Sequence, residues 1–304
     1  MSDTAIDRPV PSIARPSSGG WFRDPWRKPR FLEAVTWGYL LWSIVPVAIA
    51  IVFSFNSGRS RSTWQGFSMR WWYQDPFDSI WHDPTLRTAM FQTFKLSFTT
   101  VVFAVPLGTL FAIGIDRWRG RPAAISNFAM LFSFVVPEII LGVSLFLLFT
   151  NLFRNVFRLG TVAQVLGLVT FQLSYPFIIV RARLLSIGKE YEEAAMDLGA
   201  TPNQALRGVL LPLLWPAILA SVALVFADTV DDFVVVKALS GQAPTEPLSV
   251  KIYTAARASP TPAVNAAATV MLVSTFLVIT LGWVLYRRIS RDEAGADVGS
   301  FIQI

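Results

Sequence analysis

The sequence predicts an all-α, polytopic membrane fold with six transmembrane helices and both termini in the cytoplasm. Three observations predict it. Of the 304 residues, 53% are hydrophobic and only 15% are charged, and the mean hydropathy is +0.50, whereas a soluble domain carries about 25% charged residues. The apolar residues lie in long runs instead of at amphipathic spacing, and a helix needs ~20 of them to cross the hydrocarbon. Lys and Arg gather in the short segments between those runs, as topology signals do. The net charge of +6 therefore reads as membrane orientation and not as a nucleic-acid surface. With no cysteine and a single histidine, His82, the chain offers no disulfide, no zinc or other metal site and no Cys/His nucleophile.

Taken in order, residues 1–32 are rich in Pro, Ser, Gly and Arg and read as a flexible, basic cytoplasmic tail without the pattern of a secretory signal. The tail closes on Trp26-Arg27-Lys28-Pro29-Arg30, a basic and aromatic cluster suited to the membrane surface. The spans are expected at 34–55, 90–115, 124–150, 161–182, 213–235 and 264–286, within a transmembrane domain over 33–288. The fourth and fifth carry polar residues or prolines. Between the first two lies a long outer loop, 56–89, with Trp64, Trp71, Trp72 and Trp81. It reads as an interfacial aromatic belt, as a docking surface, or as both, and its His82 reads as exposed. Basic residues favour the inside for both termini, and the tight loop 116–121, with Arg117, Arg119 and Arg121, is the clearest vote. Residues 289–304 are expected to be a cytoplasmic tail.

The same orientation puts the connector 183–212 in the cytoplasm. Residues 190–198 are good helix formers with no Gly or Pro among them. Gly199 suits a left-handed helix end, and Thr201-Pro202 is a cap followed by a proline at the first helical position. Two short helices with a bend at Gly199 are expected. Ala194 and Ala195 leave a smooth surface for a groove, and Glu192 and Glu193 stand ready for basic groups around it. Glu193-Ala194-Ala195, then Gly199, then Val209-Leu210-Leu211-Pro212 follow the pattern E-A-A, three residues, G, nine residues, I-x-L-P, with Val209 in the place of Ile. This resembles the "EAA loop" of permease subunits of bacterial ABC importers. The chain has no phosphate cradle of its own, because Gly188-Lys189 is followed by Glu190 and position 183 is Arg.

Acids inside the spans are the other signal. In Phe226-Ala227-Asp228-Thr229-Val230-Asp231-Asp232-Phe233, a continuous helix sets Asp228 on one face with Asp231 and Asp232. A carboxylate at the bilayer centre costs roughly 2.5–3.5 kcal/mol on insertion scales, so such groups face a cavity or a partner. The competing reading ends the helix earlier and leaves the acids solvated at the outer interface, with Lys237 paired to Asp232 or its neighbours. Glu138 follows Pro137 in the third span, where it either faces a cavity or hydrogen-bonds two helices together. Tyr175-Pro176 widens the same cavity in the fourth span.

The resemblance extends further. Gly66-Phe67-Ser68-Met69-Arg70-Trp71-Trp72 is similar to a segment after the first span of many such permeases. Pro137-Glu138-Ile139, Gly142-Val143-Ser144 and Asp231-Asp232-Phe233 resemble the second permease of spermidine/putrescine importers. The resemblance covers roughly residues 35–288. It implies a MetI-like fold in a bacterial cytoplasmic membrane, a second permease subunit (a heterodimer), a dimer of cytoplasmic ATPases that binds ATP and Mg, and an extracytoplasmic binding protein. It implies no enzymatic chemistry and no cofactor in this chain. Coupling then falls to Glu192, Glu193, Ala194, Ala195 and Gly199, and the substrate path to Glu138, Asp228, Asp231 and Asp232. A permease for another small solute remains open, such as an amino-acid derivative, a sugar or a metal-loaded anion. A passive channel or secondary carrier leaves the EAA loop unexplained.

Overall fold

Long apolar runs become helices because every backbone polar group in lipid must be satisfied within its own segment. The computed structural model describes residues 30–60, 62–118, 120–258 and 261–300, so most of the 1–32 tail lies outside the described residues. The chain divides into two units at Ile49/Ala50. The described part of the first is helical throughout, within α1 (Arg30–Phe53). There the hydroxyls of Thr36 and Ser43 donate to the carbonyls of Leu32 and Tyr39, one turn back, so neither is left unpaired in an apolar helix.

The second unit holds α2 (Pro84–Arg117), α3 (Arg121–Val135), α4 (Glu138–Leu147), α5 (Thr161–Gln172) and α6 (Ser174–Ile187). They are followed by α7 (Glu190–Asp197), α8 (Pro202–Ala205), α9 (Leu211–Asp231), α10 (Val234–Leu239), α11 (Leu248–Ala258) and α12 (Pro262–Ser300). Among the described residues, five helical stretches are long and apolar enough to cross a membrane: Arg30–Phe53, Pro84–Arg117, Thr161–Ile187, Pro202–Asp231 and Pro262–Arg288. A bent pair, Ala123–Val135 with Glu138–Leu152, makes a sixth when counted as one span.

Two expectations need correction. The third span, expected as one helix over 124–150, is two helices meeting at 104°. Proline at 137 disfavours the helical region for the residue before it, and Val136 is extended, with ψ 128°. The fifth span, expected at 213–235, starts earlier and ends earlier. A wide turn at Leu206–Leu210 joins α8 to α9, and the helix stops at Asp231 because Asp232 is extended at ψ 123°. The sixth helix runs on to Ser300, through most of the stretch expected as a tail.

The centre of the second unit is α2, α6 and α9 packed on one another. Phe177, Val180 and Leu184 of α6 meet Ala112 and Ile113 of α2 and Leu214 and Ala217 of α9. Gly108 permits the approach of α2 to α6: a Cβ there would lie 2.6 Å from Pro176 and 2.8 Å from the Leu173 carbonyl. Polar ties cross this apolar packing. Gln92 donates to Thr161 and Gln164, and Gln164 donates in turn to the Val236 and Thr245 carbonyls and to Ser240. The shared amide joins α2, α5 and α10.

The segment 54–83 between α1 and α2 is folded and not merely a belt. Trp71 is 0% exposed, and its Nε1 donates to the Asn56 carbonyl at 2.6 Å. The Asn56 side chain takes the Gln65 N–H and donates to the Ser60 and Thr63 carbonyls. Trp64 and Trp81 remain exposed, as does His82, which bonds Ser79 through Nδ1.

Candidate functional site

At one pole of the helices the backbone makes a compact double turn. Gly188, at φ 76°, closes α6 with its N–H on the Leu184 carbonyl. In α7, Glu190, Glu192 and Glu193 occupy the first turn, where negative charge complements the helix dipole. Gly199 ends the element at φ 92°, with its N–H on the Met196 carbonyl at 2.9 Å. Thr201 then caps α8 in a reciprocal box with Gln204. The helix, the glycine bend and the second capped start lie where the sequence sets them. Glu193, Ala194 and Gly199 are exposed and Ala195 is half-buried. Glu192 differs: it folds back onto Arg117 as an ion pair, tying α7 to the end of α2. The sequence pattern also passed over Leu198, 91% exposed at the tip of α7, because an apolar residue before a helix-ending glycine is an ordinary packing contact in a soluble fold.

The second cluster lies where helices break. Glu138 opens α4 directly after the Pro137 corner and is half-buried. It stands within electrostatic reach of Asp228 and Asp231, at the end of α9, and of Asp232. The three aspartates do not share one helical face. Asp228 is half-buried and its Oδ2 accepts from Gln172 Nε2 at 2.6 Å. Asp231 is exposed. Asp232 has left the helix and is 8% exposed. Its Oδ1 accepts from the Val235 and Val236 N–H groups at 3.1 and 3.2 Å, and its carbonyl accepts from Ser249. This carboxylate caps α10 and holds the corner.

Lys237 does not pair with Asp232. It pairs with Glu246 at 3.0 Å, and Lys251 meets the other oxygen of Glu246 at 3.3 Å. Burial works to raise the Glu246 carboxyl, and the Lys237 and Lys251 ammonium groups outweigh it and hold the carboxyl below its ordinary range. One aromatic residue joins the acidic cluster. Tyr175 faces Asp228, and its ring stands edge-on to Phe134 at 5.5 Å and to Phe171 at 6.0 Å. Gln172 was missed by sequence reasoning, although a signal existed. Gln164 and Gln172 interrupt an apolar run eight residues apart, about two turns along one helix face.

Among the described residues no group of three or more His, Cys, Asp or Glu side chains is arranged to hold a metal ion. Residues 104–293 match the model of the family described as binding-protein-dependent transport system inner membrane component. The chain belongs to that family. This permease is 30% identical over 276 residues to the putrescine transport system permease protein PotI of Escherichia coli K12, covering 89% of this chain and 94% of that one. It is 31% identical over 255 residues to the spermidine/putrescine transport system permease protein PotC of the same strain, covering 84% and 92%. Its fold is similar to that of a bacterial ABC transporter involved in the import of the acidic polysaccharide alginate, at a TM-score of 0.68 and 16% identity over 86% of this chain and 96% of that one. The chain is thus a multi-pass inner-membrane permease subunit of an ABC importer with a MetI-like, all-α fold. It forms half of a translocation pathway and is not itself an enzyme.

Proposed function

We propose that this permease imports a polyamine, spermidine or putrescine. The observation that carries the reading is the convergence of Glu138 with Asp228, Asp231 and Asp232 from two broken helical elements far apart in sequence. Carboxylates brought together in a membrane repel one another unless a cation or water intervenes, and a flexible polycation supplies that relief. Similarity to permeases named for putrescine and spermidine supports the same cargo. Glu138, Asp228 and Asp231 line the path, and Asp232 shapes it from the corner.

Both termini face the cytoplasm in this reading, and α7 with Gly199 docks on an ATPase dimer that binds ATP and Mg. Glu193, Ala194, Ala195 and Leu198 make the contact, and Glu192 transmits it to α2 through Arg117. A second permease subunit completes the pathway, and an extracytoplasmic binding protein delivers cargo to the outer segment. The test is ATP hydrolysis by the reconstituted importer across a panel of polyamines, amino acids and sugars. Stimulation by spermidine or putrescine alone supports the reading, and stimulation by another solute replaces it. Similarity to the sulfate transport system permease protein CysT of Salmonella typhimurium, 30% identical over 224 residues, favours keeping a different solute as the second reading.

A further inference from the structure

Where α9 passes α12, two helical faces turn toward each other without closing. Pro216, Ala220 and Ala223 share one face of α9, and Ile279, Gly282 and Tyr286 share one face of α12. Between them lies a groove of about 300 Å³ with almost no polar lining. Its floor is close to backbone, since a Cβ on Gly282 would lie 3.9 Å from the Leu219 carbonyl.

One end of the groove is basic. Trp283 borders it and also borders a second cleft of about 200 Å³, walled by Val284, Arg287 and Arg288. The Arg287 guanidinium lies 4.4 Å from the Trp283 ring. Stacking uses the face of a guanidinium and leaves its N–H edge free to donate. Among the described residues neither arginine meets an acid. The level of the pair is fixed by length: Pro262 to Arg288 is 27 residues, about 40 Å of helix, the thickness of a bilayer with its headgroups. The arginines therefore stand at headgroup level, and Ile279 lies about 12 Å deeper in the hydrocarbon.

An apolar groove that ends on two cations at that level matches a molecule with a hydrocarbon tail and an anionic head. The groove is roughly twice the size of an apolar cavity that takes up benzene, so it has room for a stretch of acyl chain. A helix of a neighbouring subunit is about 10–12 Å across with its side chains. It would lie over the groove without filling it, and would bring no anion to the arginines. We infer that the groove between α9 and α12 holds one acyl chain of an anionic phospholipid, with its phosphate on Arg287 and Arg288. The planar N–H edges of the two guanidinium groups suit phosphate oxygens. The lipid joins helix ends that the chain's own side chains leave apart.

The test uses the assembled importer in nanodiscs, with lipid chains brominated to quench tryptophan at short range. The difference between the unsubstituted chain and Trp283→Phe isolates the Trp283 emission. Its quenching by brominated phosphatidylglycerol is compared with that by brominated phosphatidylcholine, which carries the same phosphate but no net charge. Phosphatidylglycerol is expected to be favoured by about fivefold for each arginine. Arg287→Gln combined with Arg288→Gln is expected to bring the two lipids within about twofold. Ala223→Phe, which fills the groove and spares both arginines, is expected to do the same. If the paired variant does not assemble, Arg288→Gln alone is held to a fall of about fivefold. No preference in the unsubstituted importer, or a preference unmoved by the arginine variants, overturns the headgroup contact. A preference unmoved by Ala223→Phe overturns the groove as the seat of the chain. Trp283 unquenched by either lipid overturns the inference as a whole and shows a protein subunit lying over the groove. The outcome is read without cargo and stands apart from the polyamine reading.

Discussion

Asp228 and Asp232 are one helical turn apart in sequence and meet opposite fates. The first faces Gln172 and the acidic cluster; the second turns back to bind the Val235 and Val236 N–H groups. Asp232→Ala strips a cap and is expected to destabilise the permease by about 1 kcal/mol, read as a lower unfolding temperature of the assembled complex. Asp228→Asn is expected to lower uptake with that temperature unchanged. Outside the spans, the Asp75 carboxyl is held down from 3.8 to about 2. The Asp78 and Phe77 N–H groups lower it most, burial opposes them, and Arg70 adds to the lowering. A carboxyl depressed in the folded state stabilises it fully above its unfolded value and loses that contribution as pH falls from about 4 to about 2. Proteolysis of the segment 54–83 is expected to rise across that window. Asp75→Asn is expected to raise it already at neutral pH and to flatten the acid step. None of this partnering is legible in residue order, because which of three neighbouring acids becomes a cap depends on where the helix stops.

At the scale of elements, the double turn at 188–204 was the most legible part, since its devices are local: helix formers, a glycine, then Thr-Pro. Gly199 has open space around its Cα and φ 92°, so a substitution there is judged by the backbone alone. Gly199→Val is expected to cost about 1–3 kcal/mol of local strain and to tilt α7. Its readout is uptake per ATP hydrolysed, expected to fall while the complex still assembles; an unchanged ratio would remove α7 orientation from the coupling argument. The broken spans were less legible. Hydropathy averaged over a run does not register that Pro137 bends the chain or that Asp232 ends α9, and both breaks face the acidic cluster. The ion pair of Glu192 with Arg117 was hidden for a similar reason, as its partner lies on another helix 75 residues away.

For the whole molecule, up to six crossings among the described residues and their order follow from composition and spacing, and the packing among them does not. Gln164 joins α2, α5 and α10 through one buried amide, a long-range tie that no local pattern announces. The bend at Pro137 also bears on how the chain enters the membrane during synthesis. Its two arms, Ala123–Val135 and Glu138–Leu152, run for 13 and 15 residues, about 20 and 22 Å of helix, and neither alone matches a hydrocarbon core of ~30 Å. The second arm rests on α10, with Gly142 against Val234 and Ala238, and α10 leaves the ribosome nearly a hundred residues later. Integration of this stretch is thus expected to lag behind translation. A nascent chain stopped after residue 155 is expected to release residues 121–152 to alkaline extraction or glycosylation, and one extended past residue 260 to hold them; firm retention in the shorter chain would show that the bend inserts unaided.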